Sequence, residues 1–120
     1  MSTSRRLLLL MFAILLATVA FGQGKKGRET DLRTVLGTVV SKDDSPVDSA
    51  VVYLKNGQTQ DVKTYISDKD GHFRFSGLDL NVDYQIHAEQ NGLTSQARSI
   101  STFDARKEVS VTLKLDRQKK

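Results

Sequence analysis

Three groups of side chains in this chain are spaced so that they could do chemistry. Asp68 and Asp70 stand either side of Lys69 and just ahead of Gly71, two carboxylates in one tight turn, which is what a hard cation such as calcium seeks. His87 and Glu89 lie two residues apart, a spacing that presents two metal ligands side by side on one face of a strand. Tyr53 and Tyr65 offer rings with an apolar face and a polar edge, suited to stacking on sugars.

Each group has a plainer reading. A helix-loop-helix calcium site needs Gly at its sixth position and Glu at its twelfth. Counted from Asp68, Gly71 is fourth and Asp79 twelfth, so the segment reads as a turn, with no more than weak calcium binding expected at Asp68 and Asp70. His87 and Glu89 have no third ligand nearby in the sequence and read as a solvated strand face; His72, next to the turn glycine, reads as a surface residue. Two tyrosines on a sheet surface commonly serve as a cross-strand pair. The absence of cysteine excludes a disulfide scaffold, a thiolate zinc site and a cysteine nucleophile. No G-x-S-x-G elbow occurs either. No catalytic, cofactor-binding or metal residue is therefore assigned, and no cofactor is expected.

The elements that must position these side chains have period two. Val35, Gly37 and Val39 alternate with Leu36, Thr38 and Val40; Ala50, Val52 and Leu54 alternate with Val51 and Tyr53. Phe73 and Phe75 bracket Arg74, Tyr84, Ile86 and Ala88 bracket Gln85 and His87, and Val109, Val111, Leu113 and Leu115 complete the series. Successive side chains of a strand point to opposite faces, so each set lines one face of a sheet. Two weaker strands are expected. In one, over 61–67, Val62, Thr64 and Ile66 face in and Tyr65 out, with the opposite register as the alternative. The other, over 94–101, is polar and reads as an edge. Between them, Lys42 to Pro46, Asn56-Gly57, Asp68 to Gly71, Ser76-Gly77, Asn91-Gly92 and Asp104 to Lys107 carry turn chemistry. Seven short strands and no amphipathic helix predict an all-β, seven-stranded antiparallel Greek-key sandwich.

The chain starts with a different material. Arg5-Arg6 precede the apolar run Leu7 to Ala17, and small residues follow around Ala20 and Gly22. These are the three parts of a secretory signal peptide, expected to be cleaved after Gly22, or after Ala20. The run from Leu7 to Phe21 is shorter than the roughly 20 residues a bilayer span needs, so no stable membrane span is expected after processing. The resulting division is 1–22 signal peptide, 23–32 flexible basic segment, 33–115 sandwich domain and 116–120 basic tail. Export by general secretion to the periplasm or the exterior of a bacterium follows.

The formal charge of +4 resides at the ends: residues 31–116 hold 10 basic and 13 acidic residues. A basic face with interleaved aromatics is missing, and nucleic acid is excluded as a partner.

The blocks Val35-Leu36-Gly37-Thr38-Val39, Pro46-Val47 followed by Ala50-Val51-Val52-Tyr53-Leu54, Ser67-Asp68-Lys69-Asp70-Gly71-His72-Phe73-Arg74-Phe75 and Tyr84-Gln85-Ile86-His87-Ala88 resemble, in that order, the carboxypeptidase regulatory-like domains. These belong to the transthyretin-like, or prealbumin-like, sandwiches. On this resemblance Gly37 makes room for a crossing chain or bulky side chain, Pro46 precedes the second strand, and Asp70-Gly71 closes a tight hairpin aiming Phe73 and Phe75 inward. The resemblance implies an accessory module: beside a zinc peptidase, at the start of an outer-membrane receptor, or as a small exported protein. No H-x-x-E pair is present, so peptidase activity is not implied. The transthyretin-like hydrolase of an oxidised purine ends in Tyr-Arg-Gly-Ser, whereas this chain ends in Leu115-Asp116-Arg117-Gln118-Lys119-Lys120. The expectation is a non-catalytic module that binds another envelope or extracellular protein through an edge strand, with 94–101 as that edge, or through the loops at one end. The alternative is a carbohydrate-binding module using Tyr53 and Tyr65, with a glycan as its ligand.

Overall fold

The computed structural model describes residues 32–119. The signal peptide, its cleavage after Gly22 or Ala20, and nearly all of the basic segment 23–32 lie outside the described residues.

The described chain is all β. Its strands are β1 (Leu32–Val40), β2 (Val51–Asn56), β3 (Val62–Ile66), β4 (His72–Asp79), β5 (Tyr84–Gln90), β6 (Leu93–Thr94), β7 (Arg98–Ile100), β8 (Glu108–Lys114) and β9 (Arg117–Gln118). One sheet has the order β4-β1-β8; the other runs β3-β2-β5-β6-β9, with β7 also paired to β5. The alternating apolar sets meet between them. Val35, Val39, Phe73, Phe75, Val109, Val111 and Leu113 from the smaller sheet pack with Val52, Leu54, Tyr84, Ile86, Ala88 and Ile100 from the larger in a single core. Gly37 has the expected role, since a Cβ there would fall on the Val111 carbonyl oxygen of β8 and against the Phe73 ring.

Several expectations need correction. The sandwich is not wholly antiparallel: β1 pairs with β8 in parallel, Thr34 beside Glu108 through Val40 beside Lys114. The seven anticipated strands become nine, partly because 94–101 is not one edge strand. Ser95 interrupts it; its backbone N–H reaches the Ala88 carbonyl and its buried Oγ accepts the Ala88 N–H at 2.9 Å, so β6 and β7 meet β5 at different places. The remaining strand, β9, lies in the segment 116–120, the basic tail, where Leu93 pairs with Gln118 and Thr94 with Arg117. The Ser76-Gly77 break is a bulge inside β4. Two steps on β1, from Arg33 to Val35, match three on β4, from Leu78 to Phe75, and Gly77 takes a φ of 70°.

Two corrections bear on the site. Asp68 to Gly71 is a tight turn, with Gly71 N–H donating to the Asp68 carbonyl at 2.9 Å, but it closes no hairpin. β3 before it pairs with β2, and β4 after it pairs with β1, so the turn carries the chain from one sheet to the other. In β3 the alternative register is the one adopted. Tyr65 lies opposite the buried Val52, and Lys63 opposite the buried Leu54, so these two take the inner side while Val62, Thr64 and Ile66 face out. Tyr65 reaches the core edgewise, its ring 6.0 Å from that of Phe75 at 65°.

Candidate functional site

Three surfaces carry the polar and aromatic groups that could meet another molecule. The first is the outer face of the larger sheet. Alternation places Tyr53 of β2 outward, and antiparallel pairing sets His87 of β5 directly across from it. Their rings stack at 5.0 Å and 15°. His87 Nε2 is 3.0 Å from Glu89 Oε2, while Glu89 Oε1 accepts from Lys119 Nζ at 2.8 Å. The Lys119 bond, then that from His87, holds the Glu89 carboxyl below its usual range, and Glu89 in turn raises Lys119. His87 and Glu89 are thus adjacent as expected, but the third partner is a cation, which uses the carboxylate oxygen a metal would need. Beside them a groove of about 300 Å³ is lined by Tyr53, Lys55, Val62, Gln85, His87 and Ala97. Tyr65 is absent from this face, so the two tyrosines do not form one platform.

The second surface is the sheet-crossing turn. Asp68, Asp70 and His72 bring ligating atoms within 4.8 Å of one another, all exposed. Asp68 Oδ1 accepts the N–H groups of Asp70 and His72, each at 2.9 Å. Those backbone bonds, that of His72 above all, lower its pKa. One carboxylate oxygen is therefore already the cap of its own turn.

The third region has two parts, the β3 edge and, separately, the loop from Ser101 to Lys107 at one end of the sandwich. Among the described residues β3 pairs only with β2, and no described strand lies along its other side. Asn56 N–H bonds the Asp61 carbonyl and Ser67 N–H the Ala50 carbonyl, so the odd-numbered residues of β3 turn their backbone groups toward β2. Antiparallel alternation then points the N–H and C=O of Val62, Thr64 and Ile66 away from the sheet. Their side chains are open as well, Val62 at 53% and Ile66 at 57% exposure. No bulge or proline interrupts this edge.

At the end of the sandwich, the loop from Ser101 to Lys107 is built around Arg33, a residue to which the sequence reading assigned no role. Arg33 is 1% exposed; its guanidinium donates to the carbonyls of Ser101, Asp104 and Arg106. The signal was present: Arg33 is in phase with Val35, Gly37 and Val39 and so must point inward. Asp104 and Arg106 clasp each other through 2.6 and 2.9 Å bonds, and Asp83 Oδ1 accepts the Thr102 N–H at 2.7 Å. The loop so fixed presents Phe103 at 97% exposure. Alongside it a groove of about 490 Å³ is lined by Lys55, Gln60, Asp83, Gln85, Ser99 and Ser101 among others.

The geometry is that of a sandwich whose inner face is filled by side chains, with its accessible groups on the outer face, the edge and the loops. The family profile of the carboxypeptidase regulatory-like domain matches residues 34–116. The chain belongs to the carboxypeptidase regulatory-like domain family. No curated protein matches it in sequence. Among solved structures, a catechol 1,2-dioxygenase from Acinetobacter aligns with a TM-score of 0.54 at 13% identity, over 72% of this chain and 53% of that one. The major pilin subunit BcpA of Bacillus cereus aligns with a TM-score of 0.53 at 17% identity, over 72% of this chain and 30% of the pilin. A protein of the DUF3823 family from Parabacteroides merdae gives 0.53 at 11% identity, over 72% and 46%. The regulatory-like domain spans about half or less of each of these structures, and at such identities the likeness is one of fold. Among the described residues no helix is long and apolar enough to cross a membrane.

Proposed function

We propose that this regulatory-like domain is a non-catalytic interaction module of the cell envelope or extracellular space, exported by the segment 1–22 and docking a protein partner along β3. The open, unbulged β3 edge carries this reading. An extended segment added there would gain main-chain hydrogen bonds from Val62, Thr64 and Ile66, with Val62 and Ile66 as side-chain contacts. This moves the docking edge from 94–101 to 62–66. The regulatory-like description of the family supports a binding or structural role over an enzymatic one.

A photo-crosslinking residue at position 64, expressed in the producing organism, tests the reading. It should capture the same protein repeatedly, and a crosslinker at Ser110 on β8 should not. Equal capture from both positions, or none from either, would overturn the assignment.

A second reading rests on the Tyr53 and His87 stack beside its groove: a glycan could lie along the outer face of the larger sheet. Tyr53→Ala should then abolish glycan-array signals, whereas Tyr65→Ala should leave them intact, because Tyr65 leans on Phe75.

A further inference from the structure

The β3 edge is self-complementary. We propose that its occupant is a second copy of this chain, the two β3 strands pairing antiparallel about a two-fold axis through Thr64. This rests on β3 being the docking edge and adds the identity of the partner.

The register argument runs residue by residue. In an antiparallel pair centred on Thr64, Val62 lies opposite Ile66 of the second copy, Thr64 opposite Thr64, and Lys63 opposite Tyr65. Every outward N–H and C=O of Val62, Thr64 and Ile66 then finds a partner, because all three belong to the set that points away from β2. The half-exposed apolar side chains meet each other, and the central threonines form a hydroxyl pair, both favourable across strands. Charge is complementary too: each Lys63 faces a tyrosine ring of the other copy. A shift that centres the pair on Lys63 sets two ammonium groups face to face, which is unfavourable. Centring on Tyr65 moves Val62 opposite Asp68 and separates it from Ile66. The contact is isologous and closes on itself, so it yields a dimer and not a fibre.

The other edges are less suited. β4 is bulged at Ser76-Gly77, β7 and β9 are three and two residues long, and β8 turns Glu108, Ser110 and Thr112 outward. Native edges are usually blunted by bulges, charges, shortness or proline; β3 has one lysine, directed to the inner side.

Because the chain has no cysteine, single cysteines report the register directly. Opposed residues of a hydrogen-bonded antiparallel pair have Cα atoms about 5.5 Å apart, within disulfide reach. Thr64→Cys, in the chain as its host produces it, should convert to a disulfide dimer under mild oxidation. Lys63→Cys and Tyr65→Cys should crosslink when mixed and far less when separate, and Ser110→Cys should stay monomeric. Sedimentation of the unsubstituted protein should show the mass doubling with concentration. Thr64→Pro should abolish that doubling while leaving the melting temperature nearly unchanged, since the lost N–H points away from β2. Dimers that crosslink best at Ser110, or a protein that sediments as a monomer at its solubility limit, would overturn the second copy as partner. If position 64 captures a different protein in the envelope, the docking edge stands without the two-fold; if position 64 captures nothing and Thr64→Pro leaves the mass unchanged, both readings fall.

Discussion

Two regions of this domain treat their polar groups in opposite ways. Around Arg33, a guanidinium is taken out of water and finds its partners in three loop carbonyls. Along β3, the N–H and C=O of three residues meet no partner among the described residues and have apolar side chains beside them. Burial forces the first region to complete its hydrogen bonds, because an unsatisfied buried polar group is costly. Nothing forces the second, and an edge that stays bare yet unbulged is where an outside strand can contribute the missing bonds. The difference separates residues that hold the fold from residues available for recognition.

Substitutions should divide along that line. The largest loss is expected for Arg33→Ala, which strands three carbonyls and empties a buried site. Hydrogen bonds from a charged donor contribute about 1.5 to 3 kcal/mol each, so losing the three should show as the largest drop in denaturant unfolding, and hydrogen exchange should accelerate across Ser101 to Lys107 with it. Ser67→Ala comes next. Ser67 Oγ accepts the Ala50 N–H at 2.9 Å and donates to the Val47 carbonyl at 2.7 Å, so about 1 to 3 kcal/mol should be lost. A still smaller effect is expected of acid. Asp104 is held well below the usual carboxylate range by the Arg106 side chain, then by its N–H. A lowered folded pKa means stability that is complete above the unfolded value near 3.8 and is lost as the pH falls below it. Asp104→Asn should flatten that part of a melting temperature profile; an unchanged profile would remove the pair from the account. Smallest of all is Phe103→Ala, within about 0.5 kcal/mol on stability because the ring touches solvent. If its effect exceeded that of Ser67→Ala, the contrast between completed and open regions would fail.

How much of this was legible in the sequence follows from burial. Where one face of a strand is packed, period two reports it, and Val35 with Val39, Tyr84 with Ile86, and Val109 with Val111 occupy the core as read. In β3 every residue is exposed, so alternation carries no burial signal, and Tyr65 and Ile66 exchange the faces expected of them. The Asp68 to Gly71 turn was visible as turn chemistry, because Asp68 Oδ1 and the glycine act locally. Whether the chain then returns to its own sheet or crosses to the other is decided by distant pairings of β3 and β4, which no local residue records. Arg33 was hidden by its type, since arginine is rarely buried. Tyr53 and His87 were each placed on an outer face, but their stacking depends on the register between β2 and β5, which local sequence does not contain.

The parallel pairing of β1 with β8 also constrains how the chain acquires its structure. The first strand of the described domain is the middle one of its sheet, and its parallel partner begins at Glu108. Until the last strands emerge, Val35 and Val39 lack one wall, and joining segments so distant in sequence is slow compared with forming local turns. The domain therefore stays open until the segment from Glu108 to Lys114 is available to pair with β1.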